Sequence, residues 1–345
     1  MEFSRIGNTE INVSRIGLGT WAIGGWMWGG TDEHESIRTI RSAFDRGINL
    51  IDTAPVYGFG RSEEIVGRAL AEGGLRQHAV LATKVGLDWR GSQPLRDASP
   101  RRIFKEIETS LKRLKTDVID IYQVHWPDPA TPIEETAAAM GTLYTQGKIR
   151  AIGVSNFSPE QITRFGKVAP IHTVQPPYNL FERGIEKDIL AHCWWQGVST
   201  LVYGSICRGL LSGRMNAQTV FGGDDLRRTD PKFQQPRYGR YLEAVEHLDR
   251  FARENYGRRV IHLALRWVLD KAGVTAALWG ARRPDQLDPI SEVMGWRLSR
   301  QEREQIARMV DEVIVDPVGP EFMAPPAAIE LQRNTPLTRR VHANR

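Results

Sequence analysis

The stretch Ile48-Asn49-Leu50-Ile51-Asp52 is an apolar run that ends on a carboxylate. Two further runs share this form: Ala79-Val80-Leu81-Ala82-Thr83 before Lys84, and Val118-Ile119-Asp120-Ile121-Tyr122-Gln123-Val124 before His125. Short apolar runs rich in Val and Ile read as buried strands. Tyr57 follows Asp52 in a Gly-containing turn. Four groups able to hold, move or bias a proton thus sit at the C-terminal ends of successive strands. In a parallel α/β barrel all such ends open on one face, where the active site forms. The pattern predicts that Asp52, Tyr57, Lys84 and His125 converge in space.

Outward from these runs, strand and helix signals alternate. Residues 2–15 read as a hairpin turning at Gly7-Asn8, followed by a strand over 15–20. The helix expected over 32–46 carries Ile37, Ile40, Ala43 and Phe44 at helical spacing. The next begins near Ser62, with Glu63 and Glu64 in a first turn whose dipole favours anions. Ser99-Pro100 opens a helix to Leu114, with Pro as its first residue. A helix over 132–146 follows the His125 strand. Strands are then expected over 149–154, 173–175, 200–203 and 274–278. The helices between and after them start at Ser158 or span 184–196, 238–255, 260–272, 284–294 and 299–314.

Eight strands alternating with helices predict an α/β fold, a (β/α)8 TIM barrel. The expectation is a single domain over 1–315 with an N-terminal β-hairpin and extra C-terminal helices. A doubly wound sheet competes, but Gly17-Leu18-Gly19 lacks the following Gly and helix start of a dinucleotide fingerprint. Residues 212–238, rich in Gly, Asp, Arg and Pro, read as a long loop of the kind that carries function. Residues 316–345 read as a Pro-rich C-terminal tail with little core material.

Composition narrows the function class. A net charge of +5 over 345 residues, with both signs interspersed and no basic run, argues against a nucleic-acid surface. The N-terminus lacks the apolar core of a signal peptide, and no run of about 18 apolar residues is present. No membrane association is expected, and the expected location is the cytoplasm. Cys193 and Cys207 form neither a metal-ligand spacing nor a disulfide framework, so no metal is expected and both read as buried thiols.

The strand-end segments resemble the aldo-keto reductases. The resemblance is carried by Gly19-Thr20-Trp21, Asp52-Thr53-Ala54-Pro55-Val56-Tyr57-Gly58, Ala82-Thr83-Lys84 and Val124-His125-Trp126. It continues through Gly147 to Phe157 (GKIRAIGVSNF), Val174-Gln175-Pro176-Pro177-Tyr178-Asn179 and Gly280-Ala281-Arg282, and spans roughly residues 3–312. The chain looks most like the bacterial branch related to potassium-channel β subunits. The resemblance implies NADPH-dependent reduction of an aldehyde or ketone to an alcohol. No side chain supplies hydride, so a cofactor must.

The resemblance also implies roles. Tyr57 is the expected general acid, Lys84 the ammonium that lowers its pKa, and Asp52 the partner that holds Lys84. His125 is expected to orient the substrate carbonyl. Ser155, Asn156 and Gln175 match the positions that hold the nicotinamide carboxamide, and Tyr203 the ring that stacks on it. Gly19, Thr20, Trp21 and Asp52 are expected at the same end. Ser205, Arg208, Gly209, Leu210 and Gly213 match the pyrophosphate loop. Gly280, Arg282, Arg283 and Gln286 match the last phosphate motif, where the two arginines favour an adenosine 2′-phosphate. Two departures stand out: Trp279 replaces a frequent Pro, and Pro289 and Ile290 occupy positions that often carry Glu-Asn at the adenine.

Ten tryptophans is a high count. Trp21, Trp28, Trp89 and Trp126 fall in loops after strands and are expected, with Tyr57 and His125, to wall the substrate pocket. A bulky or ring-shaped carbonyl, such as a keto sugar or a keto mycotoxin, is the expected small-molecule partner. Two alternatives remain at this level. One is a Schiff-base aldolase using Lys84. The other is a nucleotide-sensing accessory subunit.

Overall fold

A computed structural model describes residues 1–327. Strands β1 (Phe3–Arg5) and β2 (Asn12–Ser14) form an antiparallel hairpin. The barrel begins with β3 (Ile16–Gly19), β4 (Leu50–Asp52) and β5 (Val80–Val85). A second hairpin, β6 (Leu87–Arg90) with β7 (Gln93–Arg96), interrupts the pattern. The barrel resumes with β8 (Ile121–Val124), β9 (Ile152–Ser155), β10 (Thr173–Gln175), β11 (Ser199–Val202) and β12 (Val274–Gly280). All eight barrel neighbours are parallel, and β12 closes on β3 from Ala277↔Ile16 to Gly280↔Gly19. The fold is a (β/α)8 barrel, as the alternation of signals predicts.

The helices are α1 (Glu33–Asp45), α2 (Arg61–Ala71), α3 (Pro100–Leu114), α4 (Ile133–Thr145) and α5 (Pro159–Gly166). They continue with α6 (Ile189–Gln196), α7 (Arg237–Tyr256), α8 (Val260–Leu269) and α9 (Arg300–Val313). Their starts follow side-chain caps: Asp32, Ser99, Ser158 and Ser299 each accept a first-turn backbone N–H. Ser158 with Gln161 and Ser299 with Glu302 complete capping boxes.

The bottom of the barrel is sealed. Ile6 and Val13 of the first hairpin pack with Leu50, Ala82, Ile121, Ala151, Leu201 and Ala276. Gly7 turns at φ +43° and donates its N–H to Ser199 Oγ at 2.8 Å. The strand C-termini therefore provide the open face.

Four segments differ from their expected form. The β6–β7 hairpin occupies a stretch that reads as loop, although Gly91-Ser92 has the spacing of a two-residue turn, with Gly91 at φ +60°. The helix expected over 184–196 is broken into a 3-10 turn, Gly184–Glu186, and α6, because Asp188 folds back to accept from Ile189 N. Pro284–Val293 is 3-10 rather than α-helical, and Pro289 within it has no N–H to continue an α ladder. The long loop contains short turns at Leu226–Arg228 and Pro231–Phe233, capped by Asp225 and Asp230.

The described part of the C-terminal tail, 316–327, lies on the barrel, with Ala327 fully buried. Residues 328–345 lie outside the described residues. Both cysteines are free and buried. Among the described residues no cluster of His, Cys, Asp and Glu suits a metal, and no helix is long and apolar enough to cross a membrane.

Candidate active site

Adjacent strands β4, β5 and β8 carry Asp52, Lys84 and, one residue beyond its strand, His125 to the same rim. Lys84 is fully buried, and its Nζ donates to Asp52 Oδ1 at 2.5 Å and to Thr53 O at 2.9 Å. The other Asp52 oxygen accepts from Gln175 Nε2 at 2.8 Å and Gln123 Nε2 at 3.2 Å. Tyr57 lies over this pair, its ring centroid 5.0 Å from Lys84 Nζ. The His125 ring meets Tyr57 edge-on at 5.8 Å, and Trp21 stacks on it at 5.9 Å. The four strand-end residues do converge.

The turn that presents Tyr57 is held by close backbone contact. Gly58 stands at φ +65°, and a methyl on it would overlap the carbonyl oxygen of Gly24. A methyl on Gly24 would in turn sit 2.5 Å from the Tyr57 carbonyl carbon. Only two glycines allow the loop after β3 and the loop after β4 to cross this closely. Beneath the crossing, Ser62 Oγ donates to the Thr20 hydroxyl at 2.8 Å and accepts from Thr53 Oγ1 at 3.0 Å.

Burial governs the proton affinities. It pushes the Tyr57 phenol well above its ordinary value, and the Asp52 charge adds to the rise. Both act against the lowering expected from Lys84. Asp52 lies against Lys84, 2.5 Å from its Nζ, so the carboxylate opposes the ammonium at the phenol. Burial also lowers Lys84, against the opposing pull of Asp52. His125 is held well below its usual value by burial and then by the Lys84 charge. At neutral pH the site thus holds a protonated phenol and a neutral imidazole.

Two cavities meet at Tyr57. The first, about 290 Å³, runs from Gly19, Thr20, Trp21 and Asp52 past Ser205 and Gly209 to Gly280, Arg282, Gln286 and Pro289. The second, about 250 Å³, is walled by Trp21, Trp26, Leu87, His125, Trp126 and Phe322. Tyr57, Trp21, Gln175, Tyr203 and Met323 border both.

The sequence pattern of the Aldo/keto reductase family matches residues 15–311. The aldo-keto reductase YhdN of Bacillus subtilis (strain 168) is 59% identical over 331 residues, covering 96% of this chain and all of that protein. The chain belongs to the aldo/keto reductase family. An NADH-specific methylglyoxal reductase of Escherichia coli (strain K12) is 38% identical, over 82% of this chain and 90% of its own length. The structure of a glycerol dehydrogenase from Gluconobacter oxydans superposes with a TM-score of 0.84 at 52% identity, covering 93% of this chain and 99% of that one.

Aldo/keto reductases use nicotinamide cofactors, and the first cavity fits one. The buried indole N–H groups of Trp21 and Trp28 have no protein partner, although both rings border it. Buried donors of this kind normally find an acceptor. Gly280 has open space where a side chain would stand, so a ligand can approach its backbone. Arg214 and Arg282 supply positive charge along the same wall, where Arg227 is paired with Asp225 at 2.5 Å.

The residues expected at the carboxamide form one bridge. Tyr203 OH donates to Asn156 Oδ1 at 2.9 Å, and Asn156 Nδ2 donates to His125 O at 3.0 Å and Ser155 Oγ at 3.1 Å. Ser155 Oγ donates to Gln175 O at 2.7 Å. Asn156 adopts φ +62°, a conformation Asn tolerates better than most residues.

Other expected residues lie elsewhere. Arg208 borders the first cavity, but its guanidinium donates to Asp230 and Glu182, each at 2.5 Å, and is already neutralised. Leu210 is fully buried outside the cavity wall. Gly213 also lies off it, turning the chain at φ +68° where a side chain would strike Val260. Arg283 does not border the cavity and pairs with Asp285 at the surface. Trp28 borders the first cavity, not the second. Trp89 borders neither; its ring packs on Phe59 at 5.6 Å and under Arg102.

Sequence reasoning missed Gln123, Trp26, Arg214, Arg227 and Phe322. Gln123 had a signal, since it lies two residues before His125 on a strand with a two-residue side-chain period. The two arginines lie in the long loop, whose path no local pattern specifies.

Proposed function

We propose that this protein reduces an aldehyde or ketone to an alcohol with NADPH, taking the proton from Tyr57. The observation that carries the reading is the pairing of Tyr57 with His125 on the wall of the second cavity, with Lys84 and Asp52 behind them. When bound, the reduced nicotinamide supplies the hydride. The neutral His125 orients the carbonyl oxygen toward Tyr57 by hydrogen bonding. Tyr57 then delivers its proton to the developing alkoxide. Lys84, 5.0 Å from the ring, stabilises the phenolate left behind, and Asp52 keeps Lys84 in place. Positioned acid catalysis of this type contributes about 100- to 10,000-fold.

Arg282 favours NADPH over NADH. It lies on the cavity wall and is fixed by donating to Trp28 O at 2.6 Å. The aromatic second cavity favours a flat, bulky or ring-shaped carbonyl, such as a keto sugar or a keto mycotoxin. The relatives named for glycerol and methylglyoxal make three-carbon carbonyls the reference for comparison. Lys84 as an aldolase nucleophile is not supported, because it borders neither cavity and is held by Asp52 and Thr53. The two free, buried thiols agree with a reducing compartment such as the cytoplasm.

The test is a carbonyl panel with NADPH consumption and alcohol formation measured together. Matched stoichiometry with at least one carbonyl supports the reading. A wild-type enzyme inert toward every class would overturn it.

A further inference from the structure

Thr83 precedes Lys84 on β5, so by strand alternation the two side chains leave on opposite faces. Lys84 meets Asp52 beneath Tyr57, and Thr83 meets the helix layer. There Thr83 Oγ1 donates to Glu63 Oε1 at 2.7 Å, and Arg113 Nη1 donates to Glu63 Oε2 at 3.0 Å. Glu63 is fully buried in the first turn of α2, and Arg113 stands in the last turn of α3. Arg113 also donates to Glu106 at 3.2 Å, which is paired in turn with Arg102. None of these residues borders either cavity.

Arg113 is pressed against the start of α2. Gly60, Glu63 and Gly67 share one face there at helical spacing. A methyl on Gly60 would stand 2.7 Å from Arg113 Nε, and one on Gly67 would overlap the Arg113 carbonyl oxygen. The same turn carries Tyr57, whose carbonyl accepts from Ser62 N–H at 3.1 Å. Tyr57 is therefore attached to the turn that Glu63 ties to β5, one residue from Lys84. A buried ion pair adds little net stability over an apolar pair of equal size, so its placement here points to geometry.

We propose that Glu63 and Arg113 are positioning residues for the proton transfer, fixing the Tyr57 loop against Lys84 through Thr83 and Gly60. The proposal rests on the carbonyl-reductase reading. The Gly24–Gly58 crossing holds one side of this loop, and the ion pair holds the other. The Glu63 charge also favours the Lys84 ammonium, so position and charge must be separated. Loosening the tie lets Tyr57 drift from Lys84. That misaligns the proton and weakens the support of the phenolate, while the cofactor cavity is untouched.

The experiment compares two variants of the full chain with wild type. Thr83→Val cuts the tie and leaves every charge in place. Glu63→Gln combined with Arg113→Met removes the ion pair without stranding a buried charge, since Glu106 keeps Arg102. The kcat for carbonyl reduction, counted per NADPH-binding site titrated by fluorescence, should fall about tenfold or more in both, the scale of a small misplacement. NADPH affinity should stay near wild type. The rising pH limb of alcohol oxidation should move to higher pH in both. The titratable groups around Tyr57 are Lys84, Asp52, His125 and Tyr203, and neither variant alters them. A merely structural role would lower the number of titrated sites but leave kcat per site and the pH limb in place, and that result would overturn the proposal. Thr83→Val keeps the test alive if the double variant does not fold. A wild type inert toward every carbonyl would instead count against the reductase reading. Amide hydrogen exchange of peptides covering 57–66, expected to quicken in both variants, would then still decide whether the ion pair holds the loop.

Discussion

The two cavities share a wall yet are built differently. The first is assembled from strand ends and the loops directly after them, with arginines and open glycine backbone along its length. The second is assembled from segments distant in the chain: Trp26 and Met27, Leu87 and Pro94, Trp126, Thr229, and 322–325. The first must meet a ligand of fixed shape and charge, so short motifs at strand ends suffice. The second is closed mostly by side chains that are large or apolar. The contrast teaches that chemistry here is local in sequence, whereas selectivity is a property of the packed surface.

The largest expected effect strikes the shared wall. Tyr57→Phe should lower turnover by about 100-fold or more while leaving the fluorescence-titrated NADPH affinity near wild type. Turnover within a few-fold of wild type would break the assignment of both cavities at once. Behind the wall, Lys84→Met leaves Asp52 as an unpaired buried carboxylate. It should cost about 3–5 kcal/mol of stability, read by urea unfolding, as well as activity.

The charged cavity can be tested alone with its two neighbouring arginines. Arg282→Ala should weaken NADPH by roughly 10- to 100-fold relative to NADH, the loss of charge-assisted hydrogen bonds of about 1.5–3 kcal/mol. Arg283→Ala should change either cofactor by less than about twofold, because an exposed ion pair contributes little. Equal effects of the two substitutions would remove the distinction drawn between them.

The smallest effects are those of pH. Tyr57 is held protonated by burial, and His125 is held neutral, so kcat for reduction should be flat from about pH 6 to 8 with no histidine-shaped limb. Alcohol oxidation needs the phenolate and should rise with pH over the same range. For stability, His125, His172 and His262 all have lowered folded pKa values. Below the ordinary histidine value the unfolded chain therefore binds more protons than the folded one, and stability falls as pH falls. Melting temperatures measured from about pH 8 down to 5 should show this decline. A rise on acidification would contradict the buried, neutral imidazoles.

Much of the barrel was legible because its signals are local. Ser99-Pro100 and Ser158-Pro159 mark helix starts, and the runs before Asp52, Lys84 and His125 mark strand ends. The convergence of Asp52, Tyr57, Lys84 and His125 was legible for the same reason. Trp89 misled because a loop tryptophan after a strand looks alike whether it faces a ligand or, as here, a neighbouring Phe59. Arg208 misled because its carboxylate partners Glu182 and Asp230 lie 26 and 22 residues away, beyond any local pattern. The contacts of the tail were not legible, because proline-rich composition reports the absence of helix, not the absence of contacts.

The crossing of Gly24 and Gly58 bears on how this molecule can be re-engineered. Because the two loops interlock through backbone atoms, the spacing of Trp21 and Tyr57 cannot be adjusted by exchanging nearby side chains. Libraries aimed at new substrates gain nothing from randomising that crossing and lose most members to misfolding. Diversity belongs instead at 87–94, Thr229 and 322–325, where a residue can be exchanged without disturbing the weld.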